Sequence, residues 1–244
     1  MATEVSGATG WPVLSQIERR ILGVLVEKAK TTPDGYPLSL NALTTGCNQK
    51  SAREPVMNVS DDDVLEALPV LQTKGLVTRI QGGRVERYRH NLYDVWDVSK
   101  IELAILAELL LRGPQTEGEL RGRASRMEPI DDLDILRAAL KPLAERKLAV
   151  FLGEAGRRGT LIAHGFHDAK ELDVLRLQQR HDSPTPSAPP TGGAARGENV
   201  ETLQMLMTEA REEVGSLRLE VKELQSTVQR LGDDLAALKK SLGA

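Results

Sequence analysis

Aromatic residues are scarce: two Trp, three Tyr and two Phe among 244 residues, 3% of the chain. So small a set does not line an aromatic ligand pocket or build a platform on which bases stack. Cysteine is nearly absent. Cys47 stands alone, which excludes an intrachain disulfide and fits a reducing compartment. An excess of one charge is missing too, since 32 Lys and Arg against 35 Asp and Glu leave a net of −3. That excludes a globally basic nucleic-acid coat and a self-repelling acidic chain. Long hydrophobic runs are lacking. The most apolar stretch, 101–111, is about half the ~20 residues a bilayer crossing needs and contains Glu102 and Glu108. The N-terminus has neither the basic start nor the apolar stretch of a signal peptide. The expectation is a cytoplasmic protein with no membrane partner.

What the chain does have is pattern. Residues 183–199 read SPTPSAPPTGGAARGEN, which cannot bury a core and is expected to be a linker. Beyond it, apolar residues alternate in steps of three and four, a heptad repeat. One seam position carries Val200, Met207, Val214, Val221, Val228, Leu235 and Leu242. The other carries Leu203, Ala210, Leu217, Leu224, Leu231 and Leu238. Val-rich first positions with Leu at the second favour a parallel two-stranded coiled coil, hence a homodimer. Across such a dimer Glu213 can meet Arg218, and Asp234 can meet Lys239. The alternative is one amphipathic helix folded back on its own body, but that helix usually shows a broader stripe of period 3.6.

The first 180 or so residues hold an internal repeat. Residues 15–22, SQIERRIL, match 99–106, SKIELAIL, and both open with the Ser-x-x-Glu capping box of a helix start. Residues 68–77 resemble 140–149 in the same way. Each copy reads as helix, short helix, longer helix and hairpin: 15–30, 39–48, 60–74 and 76–90, then 99–112, 116–125, 131–147 and 149–164. The first hairpin is expected to turn at Gly82-Gly83 and the second near 156–159. Three helices followed by a β-hairpin is the winged-helix plan. Pro69 and Pro142 fall inside the third helices, where a proline costs about 3 kcal/mol, so a kink or break is expected.

Two stretches are more specific. Residues 31–57, TTPDGYPLSLNALTTGCNQKSAREPVM, and 111–127, LRGPQTEGELRGRASRM, resemble the YceH family of bacterial proteins, over roughly residues 14–152. Ala52 stands where the family pattern has Asn. The resemblance implies two tandem winged helices, often with a C-terminal coiled coil, and implies no biochemical activity. The expected architecture is therefore mostly α with small β-wings: a tail (1–13), winged helices at 14–98 and 99–182, a linker (183–199) and a coiled coil (200–244).

A winged helix invites a DNA reading, with the third helix entering the major groove. Here those helices begin Ser60-Asp61-Asp62-Asp63 and Asp131-Asp132-Leu133-Asp134. Acidic side chains suit a helix N-terminus but repel phosphates. The basic candidates lie elsewhere: Arg84 and Arg87 in the first wing, Arg157 and Arg158 in the second, Arg121, Arg123 and Arg126 at the end of a short helix, and Lys50 and Arg53 in the first copy's extra loop. No segment has a basic excess, so dimerisation would have to add weak contacts together. Double-stranded DNA and an unidentified protein both remain as partners. The functional expectation is a DNA-associated regulator; the alternative is a non-enzymatic adaptor whose winged helices bind protein.

Enzymatic chemistry finds little support. His164 and His167 resemble half a metal site, but on a strand they would face opposite sides, and no further ligand stands at suitable spacing. Cys47 has no evident His partner, and there is no phosphate-binding glycine loop. No cofactor or metal is expected. The cluster Asn48, Gln49, Lys50, Arg53 and Glu54 either forms an interaction loop or ties the first copy's insertion to the body.

Overall fold

The structure is a computed structural model that describes residues 10–81 and 85–182. The expected linker, the coiled coil with its seam from Val214 to Leu238, the Gly82-Gly83 turn and Arg84 lie outside the described residues. The first copy comprises α1 (Gln16–Thr31), β1 (Leu38–Ser39), α2 (Leu40–Cys47), α3 (Asp61–Thr73), β2 (Val77–Ile80) and β3 (Arg87–His90). A short helix α4 (Leu92–Trp96) leads to the second: α5 (Lys100–Arg112), β4 (Gln115–Thr116), α6 (Glu117–Ala124), α7 (Leu133–Glu145), β5 (Ala149–Phe151) and β6 (Leu161–His164). Helix α8 (Ala169–Asp182) follows. The architecture is mostly helical with small antiparallel sheets, consistent with a winged-helix-like plan.

Helix starts are set by local chemistry. Ser15, Ser60, Ser99 and Thr116 cap α1, α3, α5 and α6, and Glu18, Asp63, Glu102 and Glu119 reach back to complete each box. Ser39 caps α2 and Asp132 caps α7 by side chain alone. Both sheets share one topology. In the first, β3 lies between β1 and β2; in the second, β6 lies between β4 and β5, and every pair is antiparallel. The two-residue strands β1 and β4 have no signature in the sequence; they form because a central strand stands beside them with groups to pair.

The centre is α1 against α5. Helix α5 is buried from Glu102 through Leu111, which is why its sequence is the most apolar of the chain. Gly23 permits the close approach: a Cβ there would stand 2.7 Å from Leu111 Cγ. Both tryptophans gather on one phenylalanine, with Trp96 stacked on Phe166 at 4.7 Å and Trp11 edge-on to Phe166 at 6.4 Å. Trp11 Nε1 donates to the Arg146 carbonyl at 2.8 Å, and Arg146 donates to the Asp97 and Trp96 carbonyls. The described residues thus pack as one compact unit.

The expected break at the prolines does not occur. Helices α3 and α7 run through Pro69 and Pro142. Each proline removes one bond, to the carbonyl of Leu65 or Ala138, and both of those residues are exposed, so water can take the bond. Ala52 adopts φ +59°, the left-handed region in which Asn is several-fold enriched.

Candidate nucleic-acid interface

The second hairpin is built to carry exposed charge. Gly156 and Gly159 turn its tip at φ +80° and +84°. Thr160 closes the turn, with its N–H donating to the Arg157 carbonyl and its Oγ1 to the Glu154 carbonyl. Arg157 and Arg158 are exposed, and their side chains make no hydrogen bond or ion pair among the described residues. The tip stands over the start of α6 and the exposed face of α7. Together, Thr116, Glu117, Leu133, Arg137, Arg157 and Arg158 line a cleft of about 490 Å³. Arg137 is held on its wall by Glu117 Oε2, which accepts from Nε at 3.0 Å and Nη2 at 2.8 Å. That bidentate contact raises the Arg137 pKa and keeps the guanidinium charged.

The other sequence candidates fare differently. Lys50 and Arg126 are exposed, with no side-chain partner among the described residues. Arg87 donates to the Pro37 carbonyl at 2.7 Å. Arg121 donates to the Asp131 carbonyl at 3.0 Å and holds the α6–α7 loop. Arg123 joins Gln115 Oε1 at 2.8 Å and Glu119 Oε1 at 3.3 Å. Arg53 is a correction: its side chain is wholly buried, and its donors go to Gly46 O, Ala52 O, Gln49 Oε1 and both Glu27 oxygens. No donor is left for a phosphate. With Asn48 exchanging two hydrogen bonds with Val59, and Glu54 N–H donating to Leu111 O, the polar cluster ties the insertion to the body. Arg137, in turn, is a cleft residue that the sequence reading does not single out. The signal for it is its position four residues after Leu133, on the polar face of an amphipathic helix.

The acidic starts of the third helices serve their own backbones. Asp63 accepts from Ser60 N–H at 2.7 Å, which lowers its pKa, and Asp132 accepts from Ile135 N–H at 2.8 Å. Asp61, Asp62, Asp131 and Asp134 remain exposed there. Beside them lie exposed apolar side chains, Leu65 and Val70 on α3 and Leu133 and Ile135 on α7.

The single thiol and the His164–His167 pair are set by burial. Cys47 is buried, and burial pushes its thiol up to about 12 against the pull of Arg20 and Arg53. His164 and His167 correct the expectation of opposite faces. Strand β6 ends at His164, the chain turns at Gly165, and the two imidazoles stack 3.9 Å apart at 15°. Among the described residues no group of three or more His, Cys, Asp or Glu could hold a metal.

Burial lowers the pKa of both stacked histidines, and of His90 to about 4. The unfolded chain would protonate all three near 6.5. Stability is therefore fully present above that value and falls as pH drops below it, by about 1.4 kcal/mol per pH unit for each proton withheld. Glu108, whose pKa burial raises, works in the opposite sense and offsets part of the loss. Urea unfolding at pH 7.5, 6 and 5 is expected to show a steep decline. A flat profile would mean that the imidazoles accept protons in the folded chain.

A mostly helical fold with two small antiparallel sheets and an arginine-bearing hairpin over a helix pair is consistent with a winged-helix-like class. The chain belongs to the family described as "Protein of unknown function, DUF480", whose model matches residues 14–158. Both stretches that carry the YceH resemblance fall inside that span. The chain is similar to a UPF0502 protein of Rhodopirellula baltica, 47% identical over 201 residues, covering 78% of this chain and 84% of that protein. A UPF0502 protein of Pelobacter propionicus is 43% identical over 217 residues, 87% of this chain and 97% of that protein. One from Xanthomonas campestris is 38% identical over 234 residues, 96% of each. Among the described residues no helix is long and apolar enough to cross a membrane.

Proposed function

We propose that this chain is a cytoplasmic, DNA-associated regulatory protein with tandem winged helices, dimerised in parallel through a coiled coil at 200–244. The observation that supports it best is the cleft of the second hairpin, where Arg157 and Arg158 stand exposed beside Arg137. Arginines at a glycine-turned wing tip are suited to clamp phosphates or enter a minor groove. The described residues offer no broad basic face, so each module binds weakly and the dimer supplies affinity through effective concentration.

The test is binding of the full chain to mixed genomic DNA fragments between ~50 and ~200 mM salt, with bound fragments sequenced. The double variant Arg157→Ala/Arg158→Ala should reduce the salt slope by about 2 per protomer, about 4 for the dimer, close to one for each phosphate no longer neutralised. An unchanged slope and affinity would remove the wing from the interface. A monomeric mass by light scattering at micromolar concentration would remove the dimer.

One observation favours a second reading, a protein-binding adaptor. The exposed Leu65, Val70, Leu133 and Ile135 beside exposed aspartates make the third helices better suited to a protein surface than to phosphates. Absence of DNA binding at the low-salt end would select that reading.

A further inference from the structure

Where the two copies meet, α1, the 54–55 turn, the end of α5 and the end of β6 enclose a half-open cavity of about 210 Å³. Arg19, Arg20, Glu54, Arg112, His164 and His167 are its polar lining. It is smaller than the 300 Å³ or so at which drug-sized sites begin, yet it exceeds the ~30 Å³ share of one water several-fold. It is the right scale for one small, strongly hydrogen-bonding group.

Its walls hold donors without acceptors. Arg20 is 2% exposed. Nη1 donates to Cys47 O at 2.9 Å and Nη2 to Pro55 O at 2.6 Å, while Nε has no partner. Among the described residues no carboxylate forms an ion pair with this guanidinium. Two carbonyl dipoles answer the buried charge directly, the Glu54 carboxylate acts on it from beyond ion-pair distance, and Arg53 is near enough to repel it. Arg112 makes no hydrogen bond among the described residues; its Nε lies 3.3 Å from Glu108 Oε1 without the alignment of one.

His167 can add a third donor. Nδ1 lies 3.0 Å from Arg19 Nη1 and 2.9 Å from Glu171 Oε2. If Nδ1 accepts from Arg19, the ring proton is on Nε2. If the ring is a cation bound to Glu171, Nε2 is protonated as well. The remaining tautomer donates Nδ1–H to Glu171 and leaves Nε2 bare. A bound anion would select the states with the proton on Nε2, which is buried without a partner. His164 Nδ1 accepts from Phe166 N–H at 3.2 Å, so its neutral ring also carries its proton on Nε2.

We propose that this cavity binds a small oxyanion of the phosphate type, with Arg20, Arg112 and His167 as its donors. Such an anion would answer the buried Arg20 charge and accept from nitrogens that otherwise each forfeit a hydrogen bond. Glu171 and Glu108 already balance Arg19 and Arg112, so affinity rests on Arg20 and on hydrogen bonding, opposed by the exposed Glu54 carboxylate at the rim. The site lies apart from the wing cleft and does not depend on the DNA reading.

The test is titration of the full chain, freed of phosphate, with inorganic phosphate into the tens of millimolar, followed by the imidazole nitrogen resonances. Saturable shifts at His164 and His167, with His90 unmoved, are expected. Glu54→Gln should tighten binding about fivefold by removing the opposing charge. Arg112→Gln should weaken it about tenfold, and it leaves Glu108 able to take up a proton, so the variant should fold. Arg157→Ala/Arg158→Ala should leave phosphate binding unchanged. Glycerol 3-phosphate run in parallel separates the sources: equal shifts indicate a phosphomonoester with its tail in solvent, and shifts with phosphate alone indicate the free anion. Absence of saturation, or identical affinities for wild type, Glu54→Gln and Arg112→Gln, would overturn the site and leave an adventitious ion only.

Discussion

Arg53→Met is expected to destabilise the chain by about 3–5 kcal/mol, the usual loss when one partner of a buried ion pair is removed. The side chain of Arg53 is wholly buried, and Glu27, with which it pairs at 2.6 Å, is mostly so. Deleting the guanidinium leaves the Glu27 carboxylate with one ion-pair partner among the described residues, Lys28 at 3.9 Å. It also strips a donor from Gly46 O, Ala52 O and Gln49 Oε1. Methionine keeps much of the volume, so the loss reports on charge and hydrogen bonds rather than on a cavity. Arg53→Lys should rescue little, because one ammonium cannot serve acceptors spread over four residues. Glu27→Gln added to Arg53→Met should restore part of the loss, since it removes the stranded charge. Chemical denaturation of the three variants is the measurement. A loss under about 1 kcal/mol for Arg53→Met would show a solvated surface arginine and return it to the phosphate-binding candidates.

Gly165→Ala is expected to be as damaging, for a reason of space. A Cβ at 165 would overlap the backbone carbonyl oxygen of Lys147 and press on the carbonyl carbons of Lys147 and Leu148. Gly165 N–H donates to Leu148 O at 2.8 Å, so neither chain can withdraw without breaking the join between the end of α7 and the end of β6. Backbone cannot rotate aside as a side chain can, and the expected loss is about 3–5 kcal/mol. Gly122→Ala is the matched control. Gly122 lies in α6 with nothing within 4 Å of an added Cβ, and there alanine should gain about 0.5–1 kcal/mol through helix propensity. The sign difference between two identical substitutions in one unfolding assay is the result to look for. Equal, small effects would mean that the α7–β6 crossing relaxes freely.

The anion cavity and the wing cleft differ in how far the sequence reveals them. Arg157 and Arg158 are legible because a wing tip between glycines has nowhere to point but outward. Arg53 is not. In sequence it is one more basic residue in a polar loop, and its burial follows from the insertion folding back onto α1, which places Glu27 opposite it. The pairing of His164 with His167 escapes a reading by strand alternation because the strand ends at the first of them. The chain turns at Gly165, and residues three apart then stack. The prolines of α3 and α7 read as breaks because the rule counts the missing bond and not where the freed carbonyl points.

The amino-acid sequence alone determined the three helices of each copy, their starts and the internal repeat, but not α4 or α8. Capping boxes, apolar periodicity and the glycine turns act over a few residues and need no partner elsewhere. Family membership followed from the same local strings, and both stretches lie within the matched span 14–158. Tertiary structure decided the rest: the two-residue strands, the packing of α1 on α5, the inward turn of Arg53, and the convergence of Arg20, Arg112 and His167 on one cavity. Those groups come from segments up to 147 residues apart. Which charge is buried, and against what, depends on distant segments meeting, and no window of sequence contains both sides of such a meeting.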